Sequence, residues 1–347
     1  MAVAIARAVG IGAMLLFLAV AIHEFGHMIG GWINGRRLSQ ISVLGLTLRR
    51  VKSRWRVSWE RYWGFCLMAP KRVDSPPRYL AHYLGGPIAS FVVGVAGFIV
   101  VWLVDLPAFA RPVILWFGLI CLMASVGSAF PVKNRANADI LMVFDLARHP
   151  DGPAMAWRQA FFADALWQCE RFREMPDVMF GPTSSTASGE GTVAEMRRLL
   201  DLMNTLRLND LGDRDAASHT MRAVVETTPD SEMTETLLSE LLINQLAFGV
   251  DSGIPDLLEQ ITTLQATGQD DGPESCRVRA AVAAYVDDDP EAADHFLDQA
   301  EQQLATENLP CAIALYEEDQ IHALRLKIND QDVGSDWSRQ THPRGKR

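Results

Sequence analysis

Residues 11–33 read IGAMLLFLAVAIHEFGHMIGGWI, an apolar stretch with the pattern H-E-x-x-H at His23, Glu24 and His27. Helix positions i and i+4 share a face, so both imidazoles project from the same side with the carboxylate beside them. Neutral imidazole nitrogens bind Zn²⁺, and an adjacent glutamate can act as a general base toward water. Ionisable groups at membrane depth are costly and tend to mark function. The stretch therefore predicts a membrane-embedded zinc site, with a pair of structural histidines as the alternative.

Three apolar segments are long enough to cross a bilayer, which takes roughly 17–25 residues. They are Ala8–Ile33, Leu84–Val104 and Pro112–Phe130. The first resembles a signal peptide, but its apolar pattern continues through Trp32 and Ile33, so we expect a retained span. The second carries small residues at four-residue intervals, a pattern that lets helices approach closely.

The net charge of −10 hides two halves of opposite sign. Residues 1–150 carry 16 Lys and Arg against 6 Asp and Glu, whereas residues 151–347 carry 16 against 36. Because the basic half is also the apolar half, we predict a membrane core over residues 1–150 and a soluble region after it. The acidity of that region argues against nucleic acid as a partner.

The segment between the first two spans, residues 34–81, is strongly basic, with eleven Lys and Arg against Glu60 and Asp74. The positive-inside rule places this segment in the cytoplasm. The N-terminus is then outside and the acidic half cytoplasmic, in a multi-pass integral membrane protein of the kind found in a bacterial inner membrane. The basic residues also predict contact with the lipid bilayer through its headgroups.

Two stretches of this basic segment are rich in β-branched and aromatic residues, Gln40–Leu48 and Trp55–Met68. They predict β-hairpins within an interfacial region over residues 35–80. An exposed strand edge there could hold an unfolded substrate segment extended, and a purely structural sheet is the alternative.

The five cysteines are scattered, with an odd count and no C-x-x-C pair. This pattern predicts reduced thiols, without a disulfide scaffold or a structural zinc site.

The second half has the pattern of soluble amphipathic helices. We predict a helix and linker over residues 151–191, a helical domain over 192–330 and a mobile polar tail over 331–347. Small residues at Ala217, Ala281, Ala293 and Ala300, with Pro229, favour an all-α helical-repeat-like domain of tetratricopeptide type. An irregular helical bundle is the alternative, and either form should bind a protein partner.

A catalytic zinc takes three protein ligands and keeps one position open. The third ligand must come from a second segment near the membrane. Asp139, which begins a short apolar helix after the third span, is favoured; Asp145, His82 and His149 remain open.

Over roughly residues 10–145 the chain resembles the site-2 protease family of intramembrane zinc metalloproteases. His23-Glu24-Phe25-Gly26-His27 followed by Met28-Ile29-Gly30-Gly31 is similar to the zinc helix of that family. Gly86-Pro87-Ile88-Ala89-Ser90 is similar to its Gly-Pro-x-x-Asn motif, and Ser128-Ala129-Phe130-Pro131 followed by Asp139 to its Asn-x-x-Pro and Asp-Gly element. The chain departs from the family at three positions, where Ser90 and Ser128 replace Asn and Ile140 replaces Gly.

The resemblance implies that His23, His27 and Asp139 bind Zn²⁺ and that Glu24 is the catalytic base. It also implies residues that bind substrate or support the site, namely Gly86, Pro87, Ser90, Ser128 and Pro131. The expected fold is an all-α membrane core of three transmembrane helices plus a short re-entrant or following helix, with the interfacial hairpins and the soluble domain attached. The expected function is hydrolysis of peptide bonds in or near transmembrane segments of membrane-protein substrates. The alternative is a catalytically inactive scaffold that binds client proteins through its cytoplasmic domain.

Overall fold

The computed structural model describes residues 2–72, 78–128, 139–180, 192–227, 232–250, 256–261, 272–307 and 309–341. The chain divides into two compact units. The membrane unit comprises Met1–Gln168 with Gly189–Arg197, and the second unit comprises Cys169–Ser188 with Arg198–Arg347. Residues 181–191, in the region predicted as helix and linker over 151–191, lie outside the described residues.

Three long apolar helices form the body of the membrane unit. They are α1 (Ala2–Ile33), α2 (Leu80–Leu103) and α3 (Ala110–Gly127). The stretches that are long and apolar enough to cross a membrane are Ile5–Ile33, Leu80–Leu103 and Ala110–Gly127. Each lies at one of the three predicted positions, with every boundary within four residues of the prediction. A helix suits lipid because it satisfies its backbone hydrogen bonds internally.

Small residues set the distance between these helices. A Cβ on Gly26 would clash with the Gly85 carbonyl, and one on Gly30 would clash with the Ala81 carbonyl, so α1 and α2 touch through their backbones. Gly94 of α2 lies against Gly118 on α3 in the same way. Close approach of this kind replaces the hydrophobic driving force that helices lack in lipid.

The basic segment folds into a four-stranded antiparallel sheet with strand order β3-β2-β1-β4. The strands are β1 (Arg36–Val43), β2 (Leu46–Val51), β3 (Arg54–Trp59) and β4 (Gly64–Pro70). Each predicted β stretch contains a chain reversal, the first at Leu44 and Gly45, where both backbones have positive φ. The pairing of β1 with β4 is interrupted between Leu38 and Gln40 by a β-bulge.

The two faces of the sheet contact different helices. On one face, Gly64 lies against side chains of α1, and Met68 packs against Gly31 of α1. On the other face lies α5 (Gly152–Gln168), whose Trp167 ring lies 3.7 Å from the guanidinium carbon of Arg49. Before it comes α4 (Asp139–Arg148), the short helix expected after the third span. The helix predicted to open the soluble half, α5, therefore belongs to the membrane unit.

The second unit is helical. Its helices are α6 (Thr192–Asp210, of which residues from Arg198 belong to this unit), α7 (Arg214–Thr227), α8 (Glu232–Phe248), α9 (Pro273–Tyr285), α10 (Pro290–Thr306) and α11 (Cys311–Thr341). Helix α9 packs against α8, α10 and α11. The small residues Ala217, Ala281, Ala293 and Ala300 are all fully buried, as their spacing suggests. The tetratricopeptide-type repeat itself stays a prediction, and Pro229 lies outside the described residues.

Helix α11 continues to Thr341, into the region predicted as a mobile polar tail over residues 331–347, and the mobility of that tail stays a prediction. One feature of this unit differs from the sequence prediction. Cys169 and Cys311 form a disulfide, with Cα atoms 4.8 Å apart. The prediction of reduced thiols is wrong for this pair, whose sequence separation of 142 residues hides the pairing from any spacing pattern.

Candidate metal centre and active site

Three side chains from two helices converge in the membrane unit. The Oδ2 atom of Asp139 at the start of α4 lies 3.2 Å from Nε2 of His23 and 3.3 Å from Nε2 of His27, both on α1. One possible ligand atom from each residue lies within 4.8 Å of the other two. Ligands at 2.0–2.1 Å from a tetrahedral zinc lie about 3.3 Å apart. The arrangement therefore fits a metal ion held between α1 and α4.

The second nitrogen of each imidazole is engaged elsewhere, which leaves the Nε2 atoms directed at the centre. The Nδ1 atom of His27 donates to the His82 carbonyl at 2.7 Å. The Nδ1 atom of His23 lies 3.1 Å from the Ser90 hydroxyl. Partners of this kind fix the tautomer and the ring orientation of metal-binding histidines. Both come from α2, which thus supports the centre without supplying a ligand.

Glu24 lies between the metal-binding face of α1 and the sheet. Its residue is 5% exposed, and its Oε1 atom occupies the space that a Cβ on Gly64 would need. Strand β4 therefore starts directly beside this carboxylate, and a Cβ at position 64 would displace it. The residue is next to His23 in sequence, on the helix that carries both histidines.

The end of α3 positions Asp139, the candidate third ligand. The Ser128 hydroxyl donates to the Ser125 carbonyl at 2.7 Å, and the Ser128 carbonyl accepts from the Ile140 N–H at 3.3 Å. Ser125 in turn donates to the Pro87 carbonyl of α2 at 2.9 Å. Ile140, the residue after Asp139, is therefore hydrogen-bonded to the end of α3, and α3 in turn is hydrogen-bonded to α2.

Asp139 carries a negative charge suited to a metal ligand. Burial raises its pKa, but hydrogen bonds from His23 and His27, and their charges, outweigh that effect and lower the pKa from 3.8 to about 2. A carboxylate ionised at neutral pH binds a cation without first losing a proton.

The family model described as Peptidase family M50 matches residues 11–302 of the chain. The match covers both the metal centre and most of the second unit. The chain belongs to peptidase family M50. This is the site-2 protease family, whose members are zinc metallopeptidases, so the resemblance read from the motifs is confirmed. No match was found among curated proteins, nor among solved structures.

The other M50 motif positions were expected to bind substrate or support the site, and two of them, Ser90 and Ser128, depart from the family pattern. Ser90 bonds His23 through its hydroxyl, and Ser128 bonds Ile140 through its carbonyl. Gly86 lies against the His27 ring, where a Cβ would clash with Nε2. Pro131 lies outside the described residues.

Of the four possible third ligands for this M50 centre, the structure brings Asp139 to the histidines. Asp145 lies within α4 and His149 directly follows that helix. They pair with each other, with His149 Nε2 3.7 Å from Asp145 Oδ1. His82 and His27 exchange two hydrogen bonds, each from an imidazole Nδ1 to the backbone carbonyl of the other; that of His82 to the His27 carbonyl is 3.1 Å long.

Sequence reasoning missed Gly64, Ser125 and the supporting role of His82. A single glycine between two strands and a serine in an apolar helix carry no pattern that points to a site. The sequence offers His82 only as a possible ligand. Its structural role comes from its backbone carbonyl, which accepts a hydrogen bond from His27, and the residue type gives no sign of that role.

Proposed function

We propose that the chain is an intramembrane zinc metalloprotease that cleaves peptide bonds in or near transmembrane segments. The observation that carries the proposal is the convergence of His23, His27 and Asp139, with the Asp139 carboxylate at tetrahedral ligand spacing from both imidazole nitrogens and Glu24 next to His23 in the chain. Zinc bound there would act as a Lewis acid toward a peptide carbonyl and activate water in its open position.

The chain's own residues then have distinct roles. Glu24 accepts a proton from the attacking water and passes it to the leaving amine. Ser90 and the His82 carbonyl keep the imidazoles in their metal-binding orientation. The apolar surroundings of α1 and α2 strengthen these electrostatic interactions, because the local dielectric constant is low.

The substrate must present an unwound segment. Peptide bonds in a transmembrane helix are shielded by their own hydrogen bonds, so the segment has to unfold locally before attack. Glycine or proline near the cut lowers that cost. Strand β4 is an edge of the sheet, and its first residues, Gly64 and Phe65, are exposed beside Glu24. An extended substrate segment can pair with this edge.

The sheet is suited to the membrane interface. Trp55, Val57 and Trp59 alternate along β3 on one face and are 50–78% exposed, whereas Arg54 and Arg56 alternate with them on the other. Tryptophan favours the headgroup level of a bilayer, and arginine favours anionic headgroups. This pattern supports an interfacial sheet in contact with lipid.

The test of the protease compares wild type with Glu24→Gln, which keeps the shape of the side chain but removes the base. We expect equal zinc content in both purified proteins and a released fragment in the membrane proteome of wild-type cells alone. The same fragments in both cells, or no zinc in the wild type, would contradict the proposal.

The second candidate is an inactive scaffold that binds client proteins through its second unit. The replacement of two asparagines by Ser90 and Ser128 favours it, because a hydroxyl offers fewer hydrogen bonds than an amide. Zinc in both proteins, no cleavage by either, and equal recovery of client proteins with both would support this alternative.

The orientation proposed from the basic segment puts the second unit, and any protein partner of it, in the cytoplasm. The Cys169–Cys311 disulfide favours the opposite side of the membrane, because disulfides persist mainly in oxidising compartments outside the cytoplasm. Labelling of these two thiols in intact cells by a membrane-impermeant maleimide, with and without prior reduction, decides between the two sides.

A further inference from the structure

A buried carboxylate outside the metal centre joins α5 to the sheet. Asp164 is 2% exposed. Its Oδ2 accepts a hydrogen bond from Arg37 Nη2 at 2.6 Å, and its Oδ1 accepts from Ser39 Oγ at 2.5 Å. Because a buried charge is costly unless it is paired and hydrogen-bonded, these contacts hold α5 and β1 in one arrangement.

One of the two β1 residues bound by Asp164, Ser39, lies at the irregularity of that strand, and the other, Arg37, lies two residues before it. Leu38 pairs with Met68 and Gln40 pairs with Leu67, so Ser39 is the extra residue of the bulge. A bulge bends its strand and re-aims the side chains beyond it. Here Ser39 and Gln40 both point to the α5 side, where Gln40 accepts a hydrogen bond from Arg49 at 2.8 Å.

The bulge determines the pairing next to Glu24. Beyond it, Ile41 pairs with Cys66 and Val43 pairs with Gly64, the positions of β4 that face α1. A slip of one residue would turn every side chain of β1 to the opposite face. Polar residues would then replace Ile41 and Val43 on the side of α1, and the sheet could not keep its present contact with that helix.

Helix α5 also holds the far side of the sheet. The Trp167 carbonyl accepts from the Lys52 N–H at 3.2 Å, and the Gln168 Oε1 atom accepts from the Ser53 N–H at 3.0 Å. Gln168 Nε2 donates to the Arg50 carbonyl at 3.1 Å. Asp164 extends this attachment to β1, the strand that pairs with β4.

We propose that Asp164 is a positioning residue for the active site: its bonds to Arg37 and Ser39 lock the bulge and thereby hold Gly64 against the Glu24 carboxylate. The inference rests on the proposed function, in which Glu24 is the base. The metal ligands lie on α1 and α4, so a change at Asp164 moves the sheet relative to the base and leaves metal binding intact.

Cys66 is a reporter of this contact within the chain. It is a free, partly buried thiol on β4, two residues from Gly64. Burial, and then the charge of Glu24, raise the pKa of the Cys66 thiol above its ordinary value. Since the thiolate is the reactive form, alkylation is slow while β4 stays in place. Movement of β4 away from α1 admits water and speeds the reaction.

The experiment measures Cys66 alkylation by N-ethylmaleimide in the purified full-length protein, with peptide mass spectrometry to separate it from the other thiols. Asp164→Ala should raise the rate about tenfold, as expected for the loss of a hydrogen bond to a charged group. Asp164→Asn keeps an acceptor for Ser39 and should raise it less. Asp151→Asn, a matched change of an exposed carboxylate directly before α5, should leave the rate unchanged.

Two further variants test whether Asp164 acts through the bulge. Ser39→Ala should speed alkylation and Ser39→Thr, which keeps the hydroxyl, should not. Combining Ser39→Ala with Asp164→Ala should give less than the product of the separate effects, because both remove one shared contact. A fully multiplicative effect would overturn the proposal.

Zinc content, measured on the same samples, separates positioning from general loss of structure. We expect wild-type zinc in Asp164→Ala. An unchanged Cys66 rate in that variant, or faster alkylation together with loss of zinc, rejects Asp164 as a positioning residue. None of these readouts needs a substrate, so absence of cleavage by the wild type would count against the proposed function alone.

Discussion

The membrane unit and the second unit both bury charged side chains, but they arrange them in opposite ways. Around the metal centre, His23, His27 and Asp139 direct ligand atoms at a common point. In the second unit, Arg277 is fully buried and donates to Glu240 at 2.6 Å and to Glu317 at 2.8 Å. The first cluster lacks a cation of fixed charge and the second contains one. Buried charge marks a binding site where the carboxylate and imidazoles need an added cation, and a structural element where an arginine of the chain already pairs with the carboxylates.

The largest effect expected from this comparison is on metal binding. Asp139→Ala removes one of three ligands. Loss of a residue that only hydrogen-bonds a metal ligand lowers metal affinity by up to about 100-fold, so loss of the ligand itself should lower zinc affinity by more than that. Metal stoichiometry of the purified protein is the measurement. Asp145→Ala, on the same helix, is the control and should keep its zinc. Zinc retained by Asp139→Ala would place the third ligand elsewhere.

The next effect concerns folding of the second unit. Arg277→Ala leaves two buried carboxylates without their cation and should lower the free energy of unfolding by about 3–5 kcal/mol. Arg325→Ala removes a half-buried arginine that bridges the exposed carboxylates of Asp294, Asp298 and Glu301, and should cost about 1 kcal/mol or less. Denaturant unfolding measures both. Equal losses would show that the buried cluster is no more than another surface ion pair.

A smaller effect tests how α2 supports the centre. Ser90→Ala removes the partner of His23 Nδ1 and should weaken zinc binding about 10-fold, the lower end for such partners. Ser90→Asn, which introduces the residue of the family motif, should bind zinc at least as well as wild type. Competition with a chelator gives both affinities. An unaltered affinity in Ser90→Ala would mean that the ring of His23 is held by other contacts.

The last effect is a pH dependence of the stability of the second unit. Burial first, and then the charges of Glu317 and Glu240, raise the pKa of Glu274 from 4.5 to about 8. Between these values the folded unit holds a proton that the unfolded chain releases, so its stability should fall as pH rises from about 4.5 to about 8. Glu274→Gln should make the thermal unfolding temperature less dependent on pH. A slope that Glu274→Gln does not reduce would assign the effect to other groups.

The two units also differ in how far the sequence predicted them. The three spans and the H-E-x-x-H helix follow from apolar length and from i, i+4 spacing, both of which are local properties. Asp139 could be favoured over Asp145 and His149, but choosing it required the fold of α4 against α1. In the second unit, helices were predictable from periodicity, whereas the Cys169–Cys311 pairing and the partners of Arg277 were not.

The sequence by itself determined that His23, Glu24 and His27 share one face of an apolar helix, because helical geometry alone puts residues at that spacing together. Tertiary structure decided what completes the site. The carboxylate of Asp139 arrives from 112 residues beyond His27, Ser90 and the His82 carbonyl orient the imidazoles, and the bulge at Ser39 brings Gly64 to Glu24. These contacts depend on how separate elements pack, and packing is a property of the whole unit that no local pattern encodes.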